Sequence, residues 1–473
     1  MWVGRSVALT RRGRHGLLVA AIFAVRMAAT SGPVETLDGV HFVRGVVRYS
    51  VAEQRPHWPG YPVYIAAGKL LSAVGLPPTD ALRVLSVAGW TACVFLIAAI
   101  VGTRAGGVAA AAAWGLAPAA WFTGQMVLSD VPALALALGT LWLATRAAAG
   151  APARPVMGAW LAGLTIGARL PYVALLLPWA RAYLFRRRAL LALGVCISLW
   201  LGGQLARDPT YLAQGAARVY AHLGNWNHRV LMQLGARGLA FGETFIVHGL
   251  GAWWPGVPLE RVPATLGLFA AFAGGVFVLR RDRVLSRALA LWTLPYLLLV
   301  LTANDPRVAR YALPLTASAA IVAGLGVARL GRYAWVGTAA LVLAQGAVLV
   351  PLEGQARRQP PLPVQVVAYV AAHIDPRRDV VLVTEDAASL RLFLEEAGLP
   401  VEAASQEALL ARAEELSRGG GVVYGTAPSV HAPERWVVEA RFRRDRLLES
   451  RAPWDAWLFR YAPPAVVSAT SRR

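Results

Sequence analysis

The chain has 473 residues, of which 57% are hydrophobic and 15% charged, with a formal net charge of +21 and a mean hydropathy of +0.49. A soluble domain is about half apolar and about a quarter charged, so this composition, gathered into long apolar runs, excludes an ordinary soluble protein and implies a polytopic α-helical membrane protein. No series of alternating ten-residue segments suggests an outer-membrane barrel, and the dispersed arginines form no single basic face for nucleic acid.

In chain order, Arg5, Arg11, Arg12 and Arg14 precede the first apolar stretch. No small-residue cleavage site leading into a soluble domain follows, so the stretch reads as an uncleaved first span. Apolar segments near 15–30, 84–103, 106–123, 131–149, 156–168, 170–185, 189–206, 262–279, 286–303, 312–328 and 333–351 predict about eleven transmembrane helices. The pair at 156–168 and 170–185 is either two half-length helices or one element broken near Arg169-Leu170-Pro171. Cys93 and Cys196 lie inside apolar runs and read as small core hydrophobes, with no disulfide framework or cysteine metal site.

Arginine placement orients the spans. With the N-terminus cytoplasmic, the tight basic turns fall inside: Arg104, Arg146 with Arg154, Arg186–Arg188, Arg280–Arg283 with Arg287, and Arg329 with Arg332. The longer polar segments, 31–83, 124–130, 207–261, 304–311 and the C-terminal region, then lie outside. Several arginines still fall on that outer side, and anion binding is one reason for them to be there.

The most unusual outer segment is 31–83. Asp38, His41 and Phe42 occupy one face of a helical reading, i, i+3 and i+4. Asp38 reads either as a helix N-cap or as a general base near the membrane surface; Glu35 and Glu53 compete less well. Next comes Arg55-Pro56-His57-Trp58-Pro59-Gly60-Tyr61-Pro62. Three prolines and a glycine predict a rigid, irregular segment holding a cation, an imidazole and aromatic rings. It reads as an interfacial aromatic belt or, better, as a site-shaping element.

Further along, Ser129-Asp130-Val131-Pro132 opens a span, so Asp130 is either a cap or a second acid facing the Asp38 cavity. Gly167-Ala168-Arg169-Leu170-Pro171-Tyr172 sets an arginine in or near the membrane, where it requires an anionic partner. Asn304-Asp305-Pro306-Arg307-Val308-Ala309-Arg310-Tyr311 is a short outer loop in which Arg307 and Arg310 could both grip a phosphate, or Asp305 could pair an arginine in a capped turn. The loop 207–261 adds Tyr211, His222, Trp226, His228, Glu243, His248, Trp253 and Trp254, suited equally to sugar stacking and to headgroup packing. Neither HExxH nor another zinc spacing occurs, and no GxSxG elbow does; a divalent metal is left open but is not indicated.

From about 352 the composition changes. Residues 352–363 read as a linker, and 364–473 as a small soluble α/β domain. Its predicted elements are an amphipathic stretch at 364–374, strands at 379–384, 421–424 and 456–461, and helices at 386–397 and 406–418.

The order of these elements resembles the GT-C membrane glycosyltransferases, in particular the family-39-like group that includes protein mannosyltransferases and the aminoarabinose transferase. The resemblance rests on an Asp in the first outer loop, PHWPGYP, Ser-Asp at an outer helix mouth, G-x-R-x-P-Y, and N-D-x-R-x-x-R-Y-x-x-P, and it covers roughly residues 15–351. It implies a multi-pass enzyme of the bacterial plasma membrane. A polyprenyl-phosphate-linked sugar would be transferred, with inversion, to a glycan, lipid or protein acceptor at the extracytoplasmic face. Asp38 would then be the general base. His41, His57, Trp58, Tyr61 and Asp130 would shape the acceptor side. Arg55, Arg169, Tyr172, Arg307 and Arg310 would hold the donor phosphate. Many members carry an Asp-Glu pair; here Gly39 follows Asp38, which removes the second acid of a paired or metal-assisted version, and His41 or Asp130 would fill the gap. Two other readings remain open: a flippase or transporter for lipid-linked sugar, and a catalytically inactive scaffold. No inverted repeat or matching pair of broken helices supports a transporter.

Overall fold

The computed structural model describes residues 18–30, 32, 34–218, 233–384, 388–405, 408–426, 435–443, 448 and 455–462. The chain divides into two compact units, one built mainly on residues 38–351 and one on 352–473.

The first unit is helical. Among the described residues, seven helices are long and apolar enough to cross a membrane: α4 (Pro78–Val101), α7 (Asp130–Ala148), α10 (Arg187–Arg207), α13 (Val262–Leu279, with a preceding 3-10 turn), α14 (Arg283–Ala303), α15 (Leu313–Ala328, with a preceding 3-10 turn) and α16 (Ala334–Arg358). Of the other four predicted apolar segments, three are short or broken, and the first is described only from residue 18 on. The first becomes α1, Leu18–Ala29, and 156–168 becomes α8, Pro155–Ala168. The segment at 106–123 splits into α5 (Arg104–Gly115) and α6 (Pro118–Thr123), because Pro118 cannot continue the preceding helix. The segment at 170–185 is a 3-10 run, Leu170–Leu176, leading into α9, Leu177–Tyr183. Two further helices, α2 (Leu37–Val47) and α3 (Pro62–Ala73), lie in the first polar region. Helices α11 (211–218) and α12 (Leu234–Glu243) belong to the long later one, and α12 runs into a π-helical turn, Thr244–Gly249.

Helix α15 is the centre of this unit, with nearly every residue from Leu313 to Val327 buried. It packs against α5 and α13 through small residues. A Cβ on Gly326 would stand 1.8 Å from the Ala271 carbonyl oxygen, and one on Gly324 would stand 2.5 Å from that of Gly106. Backbones approach this closely only where side chains are absent, which is how helices associate when lipid removes the hydrophobic drive between them. The peripheral helices do the reverse: α13 exposes Leu266 and Phe269, and α10 exposes Leu191 and Leu199. On a membrane protein those apolar faces meet lipid.

The second unit is a five-stranded mixed sheet with helices on both faces. The strands are β1 (Val380–Thr384), β2 (Val401–Ala404), β3 (Val423–Thr426), β4 (Trp436–Arg443) and β5 (Asp455–Tyr461), in the order β2-β1-β3-β5-β4. β1 is parallel to both β2 and β3, while β5 runs antiparallel to β3 and β4. Strand alternation divides the core. Val381 and Val383 pack with α17 (Leu362–His373) and Leu394 of α18 (Ala388–Glu396), whereas Leu382 packs with Leu409 and Ala413 of α19 (Leu409–Ser417). The predicted three-layer α/β arrangement is therefore present. β2 and β4 were not predicted: β2 is four residues long and reads VEAA, with little β-branched character.

Candidate active site

The site is assembled in the first unit from three irregular pieces of backbone. The first is the Pro-rich segment. Ser50 and Arg55 exchange two backbone hydrogen bonds of 2.7 Å, closing a tight turn, and the Arg55–Pro56 and Trp58–Pro59 peptide bonds are cis. Gly60 has φ +80°, and a Cβ there would strike the Tyr49 hydroxyl at 2.3 Å, so only glycine fits. Tyr61 is also left-handed, φ 48°, and leads directly into Pro62 at the first turn of α3. This packing directs the His57 and Tyr61 rings together, 5.2 Å between centroids, with His57 Nε2 3.0 Å from the Tyr61 hydroxyl. Phe42, fully buried on α2, fixes both rings from the other side.

The second piece is the break after α8. Arg169 adopts an extended conformation, φ −157° and ψ 100°, and the 3-10 run follows at once. Pro171 disfavours helical backbone in the preceding residue and denies the ladder an N–H, so the element cannot pass through this point as a continuous α-helix. The third piece is the 3-10 turn Ala309–Ala312 ahead of α15, which carries Arg310.

Four charged side chains meet between these pieces. Arg310 Nη2 donates to Asp38 Oδ2 at 2.6 Å, and Arg310 Nε stands 3.9 Å from Asp130 Oδ1. Arg169 Nη2 lies 2.9 Å from the same Asp130 oxygen, with angles outside those of a good hydrogen bond, and Arg169 Nη1 donates to Ser129 Oγ at 3.4 Å. Asp38 Oδ1 is 3.8 Å from His57 Nε2. The result is a chain Arg169–Asp130–Arg310–Asp38–His57. Asp130 is fully buried and Arg169 nearly so, while the Asp38 and His57 side chains keep 23% and 25% of their exposure. The buried end therefore supports an end open to ligand.

Electrostatics follow from this arrangement. Burial pushes the Asp38 carboxyl up, but the Arg310 guanidinium, helped by His57 and Arg169, outweighs it and holds the pKa at about 2. Burial pushes the His57 pKa down despite the Asp38 charge, and does the same to His41. Near neutral pH both rings are uncharged and Asp38 is ionised.

The residues singled out from the sequence divide clearly. Asp38, His57, Tyr61, Asp130, Arg169 and Arg310 join the charged chain or touch it. His41 faces His57 with ring centroids 5.9 Å apart. Tyr172 is fully buried, with its ring 5.4 Å below the Arg169 guanidinium, and its hydroxyl finds no hydrogen-bond partner among the described residues. Arg55 is half-buried and pairs with Glu53 at 3.6 Å. Trp58 packs beside Gly215 on α11, and Tyr211 donates to the Pro59 carbonyl at 2.7 Å. Arg307 is exposed, its backbone N–H bonded to Asp305 Oδ1 at 3.1 Å. His222, Trp226 and His228 lie outside the described residues. Asp130 is the first residue of α7, and Ser129 rather than Asp130 holds the N-cap position.

Tyr311 was not singled out, yet its ring sits within cation–π reach of both Arg169 (5.8 Å) and Arg310 (5.5 Å). Its place directly after Arg310 was the available signal. Among the described residues no group of three or more His, Cys, Asp or Glu side chains gathers in a metal-binding arrangement.

Solved structures of a membrane enzyme share this fold. The crystal structure of ArnT from Cupriavidus metallidurans bound to undecaprenyl phosphate superposes with a TM-score of 0.52 at 12% identity, over 98% of this chain and 100% of that one. The apo form of the same enzyme gives 0.53 at 13% identity, over 96% and 100%. No protein-family model matches the sequence, and no curated protein matches it.

Proposed function

We propose that this protein transfers a sugar from a polyprenyl-phosphate-linked donor to an acceptor hydroxyl at the extracytoplasmic membrane face, with inversion at the anomeric carbon. The observation that carries the reading is the Arg169–Asp130–Arg310–Asp38 chain. It sets two guanidinium groups, one of them held by a buried acid, beside a partly exposed carboxylate. The fold supports it, and ArnT has been crystallised with undecaprenyl phosphate. Arginine placement supports a cytoplasmic N-terminus, which puts the charged chain and the C-terminal unit outside.

In the proposed reaction the acceptor oxygen attacks the anomeric carbon as its bond to the phosphate oxygen breaks. The acceptor proton passes to Asp38, and polyprenyl phosphate leaves with the bonding pair. Arg310 and Arg169 would neutralise charge developing on that phosphate, with Tyr172 and Tyr311 packing the guanidinium planes. While Arg310 holds it at about 2, Asp38 is a weak base. A donor phosphate would draw the Arg310 guanidinium away and raise the basicity of Asp38 when the substrate is present. His57 and His41, both neutral, would then be close enough to shape the acceptor pocket.

The test is a panel of polyprenyl-phosphate sugars supplied to membranes containing the protein, followed by Asp38→Asn with the productive donor. Transfer is expected for wild type and its loss for the variant. Undiminished transfer by Asp38→Asn would remove the base assignment. Movement of lipid-linked sugar across vesicles without any transfer would favour a transporter.

A further inference from the structure

Three elements that run from the neighbourhood of the charged chain carry a second feature at their other ends. Helix α7 begins at Asp130 and ends near Ala148; the broken element passes Arg169 and ends through α9; α14 ends at Ala303, just before the Arg310 turn, and begins at Arg283. The nineteen residues of α7 span roughly 28 Å, close to the ~30 Å thickness of a bilayer core. Its two ends therefore lie at opposite membrane surfaces.

At the end away from Asp38, α7, α9 and α14 enclose a cleft of about 260 Å³. Arg181, Arg186 and Arg287 line it together with Thr145, and Ala148 and Leu291 form part of an apolar wall. All three arginines are exposed, and among the described residues none pairs with a carboxylate. Asp282, the nearest acid on the adjoining turn, instead caps α14 by accepting from the Leu285 N–H at 3.0 Å. Arg186 lies over the Tyr183 ring at 5.8 Å, which fixes its direction. Phe185 between them is 93% exposed, as an apolar anchor at a membrane interface would be.

Three unpaired cations above an apolar wall, at the level where headgroups begin, match one ligand chemistry. We infer that this cleft binds an anionic phospholipid, its phosphate among Arg181, Arg186 and Arg287 and an acyl chain along the wall. A polyprenyl donor phosphate at Asp38 is a separate ligand at the other membrane surface. The bound lipid would fasten α9 to α14.

The experiment uses the full chain in neutral detergent, titrated with dioleoyl-phosphatidylglycerol, dioleoyl-phosphatidylcholine or inorganic phosphate, and read by native mass spectrometry and by Tm. Phosphatidylglycerol is expected to stay bound and raise Tm, and the other two to do neither. Each of Arg181→Gln, Arg186→Gln and Arg287→Gln should weaken phosphatidylglycerol binding roughly fivefold, and the triple variant by about a hundredfold. An equal response to phosphatidylcholine or to inorganic phosphate overturns the proposal. So does wild-type affinity in the triple variant or, should that variant not fold, in all three single ones.

Discussion

Arg310 is the residue on which the two halves of the site depend, because one planar guanidinium reaches Asp38 through Nη2 and faces Asp130 through Nε. A lysine ammonium is a point charge on a flexible stem and cannot hold both positions. Arg310→Lys is therefore expected to lower kcat/KM by at least about tenfold, measured with whichever donor proves productive. Asp130 has a different weight. It is the only carboxylate paired with the nearly buried Arg169 among the described residues, so Asp130→Ala strands a cation in the interior. The expected loss is about 3–5 kcal/mol of stability, seen as a lowered Tm in detergent, with Asp130→Ala/Arg169→Met recovering much of it. Failure of the double variant to recover would separate this pair from the stability of the unit. Acid should also act through Asp38. Its pKa is depressed from 3.8 to about 2 in the folded protein, so its contribution is present above pH ~4 and is lost as pH falls toward 2. That contribution is on the order of 2 kcal/mol. Tm should fall over this interval by less in Asp38→Asn than in wild type.

Among the elements, the crossing of α4 and α7 is sensitive to a single added atom. A Cβ on Gly89 would stand 2.7 Å from both the N and Cα of Pro132 and 3.0 Å from the Val131 carbonyl carbon. Those are backbone atoms of the first turn of α7, which begins with Asp130. Gly89→Ala should push that turn away, cost about 1–3 kcal/mol and reduce transfer through Asp130 and Arg169 without touching any charged group. A variant with lowered Tm and unchanged kcat/KM would show that the turn absorbs the shift elsewhere. No sequence pattern marks Gly89, because the requirement comes from a helix more than forty residues away. The break at Arg169, by contrast, was legible: Leu170-Pro171 forbids a continuous helix, and an arginine at membrane depth demands a partner. The partner's identity was less so, since Asp130 could equally have been a cap, and only the approach of α7 to the broken element decides it. Arg55 and Arg307 stand outside the charged chain: Arg55 lies 3.6 Å from Glu53, and the Arg307 side chain is exposed.

At the scale of the whole molecule, the eleven apolar segments forecast a membrane-embedded helical unit, but length sorts them: among the described residues seven are helices that can cross a bilayer, and those at 106–123, 156–168 and 170–185 are broken or ended by proline or by the site. The C-terminal unit was legible as α/β because Val380–Thr384 is short and rich in β-branched residues, which favours a buried strand, whereas β4 carries charge on an edge and β2 is too short to announce itself. That unit has its own core on both sides of the sheet. Val366, Val370, Val381 and Leu394 are buried on one side, and Leu382, Leu409, Val423 and Phe459 on the other. About a hundred residues with two internal apolar layers are enough for an independent domain. Residues 359–473, produced without the helical unit, should therefore remain soluble and unfold in one cooperative thermal transition. Chain with helical signal but no cooperative transition would mean that the sheet requires the membrane unit to fold. Cooperative unfolding would allow binding of sugars or glycans to be measured on this unit alone, and so test whether it contributes to acceptor recognition.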